Sequence, residues 1–356
     1  MAVRVPLRPE EITPGWLTDF LASRNPGVQI DELEVLSSTQ GAATRLRVRP
    51  VYAPGRDAGL PEVLFIKTSL TRRMLVADPH MYVTEVRFYE RIRPTLGCET
   101  PAVYGFGLDE DTSRFAVVIE DLALRGAAFP TALSGLTGDD LAPLMTTLAQ
   151  LHAPNWGRSD LAFHFDWLET TTNGKTARWW IEESRSLVEA ELGEPYKAEA
   201  FDVDRHSLDR VYRAYARLQE ANDQAPLTVV HGDTHIGNCY LLPGGAGAGL
   251  LDWQLMRVAN WGNDVGYLLM TALDADERGK SERELLQLYL DELRRLGVVA
   301  PSWSEAWDLY RKQMVWGILA WLVTPTAMYD RPLLDALIRR CVAGADELES
   351  YALLGV

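Results

Sequence analysis

An α+β fold is predicted in two lobes: a small N-terminal antiparallel β lobe with one main helix, then a large α-rich C-terminal lobe. Two features of the 356-residue chain predict it. Up to about residue 122, short apolar runs alternate with turn signals, which is strand patterning. The second lobe begins at residue 123, and from about residue 137 its apolar spacing is helical, with a helical insertion over about 155–225 and a single cluster of strand signals near residues 227–253.

In the first lobe, Leu33–Leu36 and Arg45–Val48 flank a polar turn over Ser37–Thr44, and Val63–Lys67 follows a Pro- and Gly-containing loop. Tyr82, Val86 and Tyr89 keep helical spacing until Pro94 ends the run. Ala102–Phe106 and Phe115–Ile119 complete the set of strands. The second lobe opens with Thr137 as an N-cap before the acidic turn Asp139-Asp140 and a helix running to His152. Further helices are expected near 175–192, 204–222, 263–274, 280–296, 303–323 and 331–353. Leu227–Val230, Cys239–Leu242 and Gly249–Trp253 read as strands. The run Gly244–Gly249 joins one strand to another with no helix after it, so it is a hairpin turn rather than a phosphate loop.

The bulk composition narrows the choices. With 47% hydrophobic and 24% charged residues the chain can bury substantial cores. Cys98, Cys239 and Cys341 are too few and too scattered for a disulfide framework, which suits reduced thiols and a cytoplasmic protein. No secretory signal is legible at the N-terminus, and the longest uncharged stretch, Gln313–Tyr329, is shorter than the roughly 20 residues of a membrane span. A net charge of −15 argues against a nucleic-acid partner and is compatible with a cationic substrate, although solubility is the commoner cause of such a charge. Monomer and homodimer are both open.

The chemistry concentrates in Val229–Asn238 and Leu250–Gln254. A strand delivers His231, a tight loop carries Asp233, Asn238 stands five positions later, and Asp252 arrives after the next hairpin. Phosphoryl transfer from ATP asks a protein for these groups, because its task is to position a nucleophile and neutralise phosphate charge. Asp233 can take the proton of an acceptor hydroxyl. Asn238 and Asp252 are the hard oxygen ligands that Mg2+ prefers. His231, Asp233 and His235 could instead be read as the metal cluster of a hydrolase, but His80, His152, His164 and His206 supply no further ligand spacing.

His231-Gly232-Asp233…Asn238 with Leu251-Asp252-Trp253 resembles the aminoglycoside phosphotransferase and choline kinase superfamily, and the Asp252-Trp253-Gln254 ending is similar to its ecdysteroid-kinase-like branch. The resemblance covers nearly the whole chain and implies a protein-kinase-like fold, ATP and Mg2+ as cofactors, and transfer of the γ-phosphate to a hydroxyl of a small molecule. Aminoglycoside-like compounds, amino alcohols, sugars and steroid-like alcohols all fit as acceptors. It also implies that Lys67, at the end of a strand, binds nucleotide phosphates and pairs with Glu85, Glu90 being the alternative partner. Residues 119–122 take the place of the family's hinge, so Glu120 and Leu122 are expected to meet the adenine through their main chain, with Ile66 and Leu251 as apolar walls. Ser38 and Gly41 fall in the phosphate-covering turn, which has one glycine where protein kinases have three. Asp264, opening a helix, is expected to brace the catalytic loop, and His231 to order it. A nucleotide-binding scaffold that kept the fold without the activity is the other class of reading.

His235, Trp167 and Trp179 are candidates for the acceptor side. The segment from Ile181 to Asp202 adds seven acidic residues against Arg185 and Lys197, and an aromatic, acidic wall suits an amine; a solvated helix face over core tryptophans accounts for the same residues.

Overall fold

The computed structural model describes residues 5–70, 78–170 and 179–356. The expected helix near 175 therefore begins partly outside the described residues. The chain divides into two compact units: residues 1–96, 100–127 and 252–255 form the first, and residues 97–99, 128–251 and 256–356 the second.

The first unit is built on a five-stranded antiparallel sheet of β1 (Ile30–Gln40), β2 (Thr44–Tyr52), β3 (Leu64–Thr68), β4 (Val103–Asp109) and β5 (Arg114–Glu120), in the order β1-β2-β3-β5-β4. Period-two alternation sorts its two faces. Leu46, Val48, Leu64, Ile66, Ala116 and Val118 turn to one side and pack with Leu17, Phe20 and Leu21 of helix α1 (Pro14–Ala22) in one buried cluster. Burying each of those three large side chains contributes about 1.5–3 kcal/mol. The sequence reading had no α1, although its signals are present: Thr13 caps it by accepting from the Trp16 amide, and Pro14 stands at its first position. The other face carries Arg45, Arg47, Phe65, Lys67, Val117 and Ile119, as their pairing register shows. Helix α2 (His80–Arg87) runs on through a π-type turn, Phe88–Ile92, to the break at Pro94.

The second unit is mainly helical. Its helices are α3 (Gly138–His152), α4 (Leu161–His164), α5 (Ser184–Glu191), α6 (Pro195–Phe201), α7 (Leu208–Asp223), α8 (Gly262–Ala272), α9 (Ala275–Arg295), α10 (Trp303–Lys312), α11 (Met314–Val323), α12 (Arg331–Glu347) and α13 (Ser350–Leu353). Thr137 and Asp140 form a capping box at the start of α3, as the sequence leads one to expect. The single helix expected over 303–323 is two, broken at Gln313, and α12 and α13 divide the last one. Two small sheets complete the unit. In one, β10 (Arg257–Asn260) lies between β6 (Glu169–Thr170) and β7 (Leu227–Val230); the other is the hairpin of β8 (Cys239–Leu241) and β9 (Ala248–Leu250). Glycine 249 sits opposite Tyr240, where a Cβ would meet the ring at 2.3 Å. No helix among the described residues is long and apolar enough to cross a membrane.

Candidate active site

In the first unit the centre of interest is Lys67. Its ammonium lies 2.8 Å from Glu85 Oε2, 2.9 Å from Glu85 Oε1 and 2.9 Å from Asp252 Oδ1. Glu85 occupies the inner face of α2, whereas Glu90 is exposed beside Arg91, so the partner of Lys67 is Glu85. Burial pushes the lysine down, but the charges of Asp252 and Glu85 outweigh it and hold its pKa above the ordinary value. The ammonium therefore stays charged. Burial is also the first cause that lifts Glu85 to about 7, with Asp252 adding to it and Lys67 opposing.

The turn that carries Asp252 is held in an unusual conformation. Asp252 has φ of 63°, a left-handed backbone that few residues other than glycine adopt, and one that needs support from its surroundings. The support is the next residue: the buried Trp253 indole stacks on Phe88 with centroids 3.8 Å apart and planes 10° from parallel. The Asp252 side chain is left about one-third exposed, with an oxygen on Lys67.

In the second unit the loop after β7 is organised by Asp264, in the first turn of α8. Its carboxylate accepts from the amides of His231 at 2.7 Å and Gly232 at 2.9 Å, and lies 3.1 Å from His152 Nε2. Its backbone carbonyl accepts from Thr234 Oγ1 at 2.7 Å. Burial pushes its carboxyl up; the hydrogen bond and charge of His152, then His231 and the Gly232 amide, hold it below the usual carboxylate range. Behind it, His152 Nδ1 meets the Tyr289 hydroxyl at 2.8 Å. From sequence His152 is simply the end of a helix; its partner Asp264 lies 112 positions along the chain and Tyr289 lies 137.

His231 spends both ring nitrogens on the protein: Nδ1 accepts from the Asp233 amide at 3.2 Å, and Nε2 meets the Leu251 carbonyl at 2.8 Å. Gly232 takes the positive φ of 83° that turns the chain into Asp233. Asn238 then reaches back, its Nδ2 donating to the Asp233 carbonyl at 2.8 Å and to Asp233 Oδ2 at 2.9 Å. The two residues that sequence spacing singled out are thereby one hydrogen-bonded pair, with the Asp233 side chain about one-quarter exposed. The hydrolase cluster is not formed, because both ring nitrogens of His231 are committed as described; His235 Nδ1 accepts from the Gly237 amide at 3.1 Å and its Nε2 lies 3.8 Å from Asp233 Oδ2. Among the described residues no group of three or more His, Cys, Asp or Glu is arranged to hold a metal ion.

The remaining candidates fall as follows. Ile66 faces the apolar cluster, so the residue beside Lys67 on its own face is Phe65. Ser38 pairs with Leu46 and shares that residue's face, whereas Thr39 pairs with Arg45. Gly41 lies at the turn, its amide bonded to Ala43 O. The Glu120 side chain accepts from the Ala102 amide and Arg125, and Leu122 is buried at the start of a 3₁₀ turn. Asp121 caps that turn and takes an ion pair from Arg47 at 2.6 Å, a contact absent from the sequence reading. Leu251 hydrogen-bonds the Asn238 carbonyl through its amide. His235 packs edge-on against Trp321, and through Tyr267, Trp316 and Trp180 an aromatic ladder runs from it to Trp179. Trp167 is buried against Phe165 outside this ladder of contacts.

This architecture is that of the kinase-like phosphotransferases. A candidate aminoglycoside phosphotransferase of Ralstonia eutropha superposes with a TM-score of 0.52 at 13% identity, covering 94% of this chain and 97% of the other. An ethanolamine kinase of Plasmodium vivax gives 0.51 at 11% identity over 90% and 84%. The choline kinase LicA of Streptococcus pneumoniae gives 0.50 at 15% identity over 94% and 98%. No curated protein matches the chain. Residues 46–297 match the ecdysteroid kinase-like family; the chain belongs to that family and is a small-molecule kinase.

Proposed function

We propose that the protein transfers the γ-phosphate of ATP to a hydroxyl of a small molecule, with Asp233 as the base. The observation that carries the reading is Lys67, a buried ammonium held between Glu85 and an Asp252 in left-handed conformation. A lysine so fixed and kept charged presents a preset cation to nucleotide phosphates. On the acceptor side, Asn238 Nδ2 aims the Asp233 carboxylate, which takes the hydroxyl proton as the oxygen attacks the γ-phosphorus. The bond from that phosphorus to the bridging oxygen breaks, and ADP leaves with the electron pair.

Asn238 and Asp252 are the residues that would hold magnesium. Asn238 has spent its amide nitrogen on Asp233, which leaves its carbonyl oxygen, and Asp252 offers a partly exposed carboxylate. Both are hard oxygen ligands, and Mg2+ takes few of these from a protein, completing its shell with phosphate and water. When bound, the ion would neutralise charge on the transferred phosphate. Asp264, His152 and His231 act through the loop backbone: they hold residues 231–233 so that the Asp233 carboxylate does not have to be ordered during the reaction.

The acceptor is a small hydroxyl compound of the classes named above, with the aromatic ladder from His235 to Trp179 as its candidate wall. Phosphate transfer from ATP across a panel of amino alcohols, sugars, aminoglycosides and steroid-like alcohols tests the reading. The Asp233→Asn variant should turn over at least about 100-fold more slowly with the best acceptor. Unchanged turnover would rule out Asp233 as the base, and an enzyme that binds ATP but phosphorylates no member of the panel would exclude these acceptor classes.

A further inference from the structure

We propose that Arg45 is a second phosphate-binding cation, doing with a side chain what a glycine-rich turn does with backbone amides. The inference rests on the proposed function, in that the Lys67 face of the sheet is taken to receive the nucleotide. Strand β2 presents three arginines on that face, Arg45, Arg47 and Arg49, at every second position. In the ladder Arg45 stands directly opposite Lys67. Side chains so paired leave the sheet on the same side with Cβ atoms about 5 Å apart.

The four cations of this face differ in what neutralises them. Lys67 has Glu85 and Asp252. Arg47 has Asp121 at 2.6 Å, and Arg49 has Glu34 at 2.7 Å. Arg45 is exposed and its side chain has no ion pair or hydrogen bond among the described residues, so it is the one uncompensated charge in the row.

Its location is specific. The guanidinium folds over the β1–β2 turn, where a Cβ on Gly41 would come within 2.9 Å of Nη2. Three donors at the turn are already engaged: the Gly41 amide is bonded to Ala43 O, the Thr44 hydroxyl to Gln40, and the Tyr82 hydroxyl to the Ala42 carbonyl. A planar guanidinium with several donors suits phosphate oxygens better than the single amides a one-glycine turn leaves. Arg45 therefore grips the outer phosphates from the hairpin tip while Lys67 holds them from the strand behind.

Affinity for Mg-ATP and for AMP, measured by displacement of a fluorescent ATP analogue, tests this in the wild type, Arg45→Gln, Arg45→Lys and Arg49→Gln. Arg45→Gln should weaken Mg-ATP by about 10-fold or more, the scale of one charge-assisted contact, and AMP by less than about twofold. Arg45→Lys should recover part of the loss, and Arg49→Gln should bind as the wild type does. ATP affinity unchanged in Arg45→Gln overturns the proposal, as does an equal loss for ATP and AMP, which would mark a role in shaping the hairpin. A wild type that binds no ATP overturns the nucleotide reading itself and this inference with it.

Discussion

Replacing Asp264 by alanine should destabilise the loop-bearing unit strongly, and the structure says roughly how much. Three donors lose their acceptor at once: the amides of His231 and Gly232 and the ring of His152. All of them are buried, and a buried donor left without a partner costs about 1–3 kcal/mol, more where a charge assisted the bond. Allowing for relaxation, the sum falls near 3–6 kcal/mol, a large part of the 5–15 kcal/mol that typically separates folded from unfolded chains. The carboxyl is held below its ordinary value, so its contribution is complete above about pH 4 and is lost only as acid carries it through the lower folded value. Urea unfolding followed by tryptophan fluorescence at pH 7, paired with hydrogen exchange at the amides of residues 231 and 232, reads both the size and the place of the loss. A midpoint shift worth less than about 1 kcal/mol, or unaltered protection of those two amides, would refute the bracing role.

Three further outcomes are expected. Lys67→Met should abolish measurable ATP turnover and destabilise the first unit, since two carboxylates then face one another; without the cation Glu85 rises beyond about 7, so the stability gap to the wild type should be smaller at pH 5 than at pH 8. Gly249→Ala places a methyl group against the Tyr240 ring and should cost about 1–3 kcal/mol by thermal or urea unfolding, whereas Gly244→Ala, in the open part of the same hairpin, should be limited to its backbone strain of about 1 kcal/mol. Burial raises the thiols of Cys239 and Cys341 far above the ordinary range, so a thiol reagent should label neither in the native protein at pH 8 and both in urea.

Much of the candidate site was legible because it is local. His231, Asp233 and Asn238 lie within eight residues, and the constraints that turn such a segment into a loop act over a few peptide units. Strands β2, β3 and β5 are equally readable as short apolar runs between turn signals, and so is the glycine-rich hairpin turn, although Gly249 itself pairs within β9. Helix α1 escaped because it is only nine residues long and its apolar positions matter through Phe20 and Leu21 packing on the sheet, an arrangement no local window contains. The break at Gln313 escaped for a similar reason. Its buried side chain donates to Asn222, 91 positions away, and packs over Gly266, so the sequence around it still reads as one apolar helix.

The sequence by itself determined which residue types the chemistry would have and in what order the strands and main helices would come, since both follow from neighbours along the chain. Tertiary structure alone decided which charges neutralise one another. Glu85 rather than Glu90 meets Lys67, Asp121 claims Arg47 across 74 positions, and Arg45 is left over. It also decided that Asp252 adopts a left-handed backbone supported by the Trp253–Phe88 stack. These outcomes depend on sheet order and register, where a shift of one residue moves a side chain to the opposite face, and the energy that selects the register comes from the distant side chains buried by it.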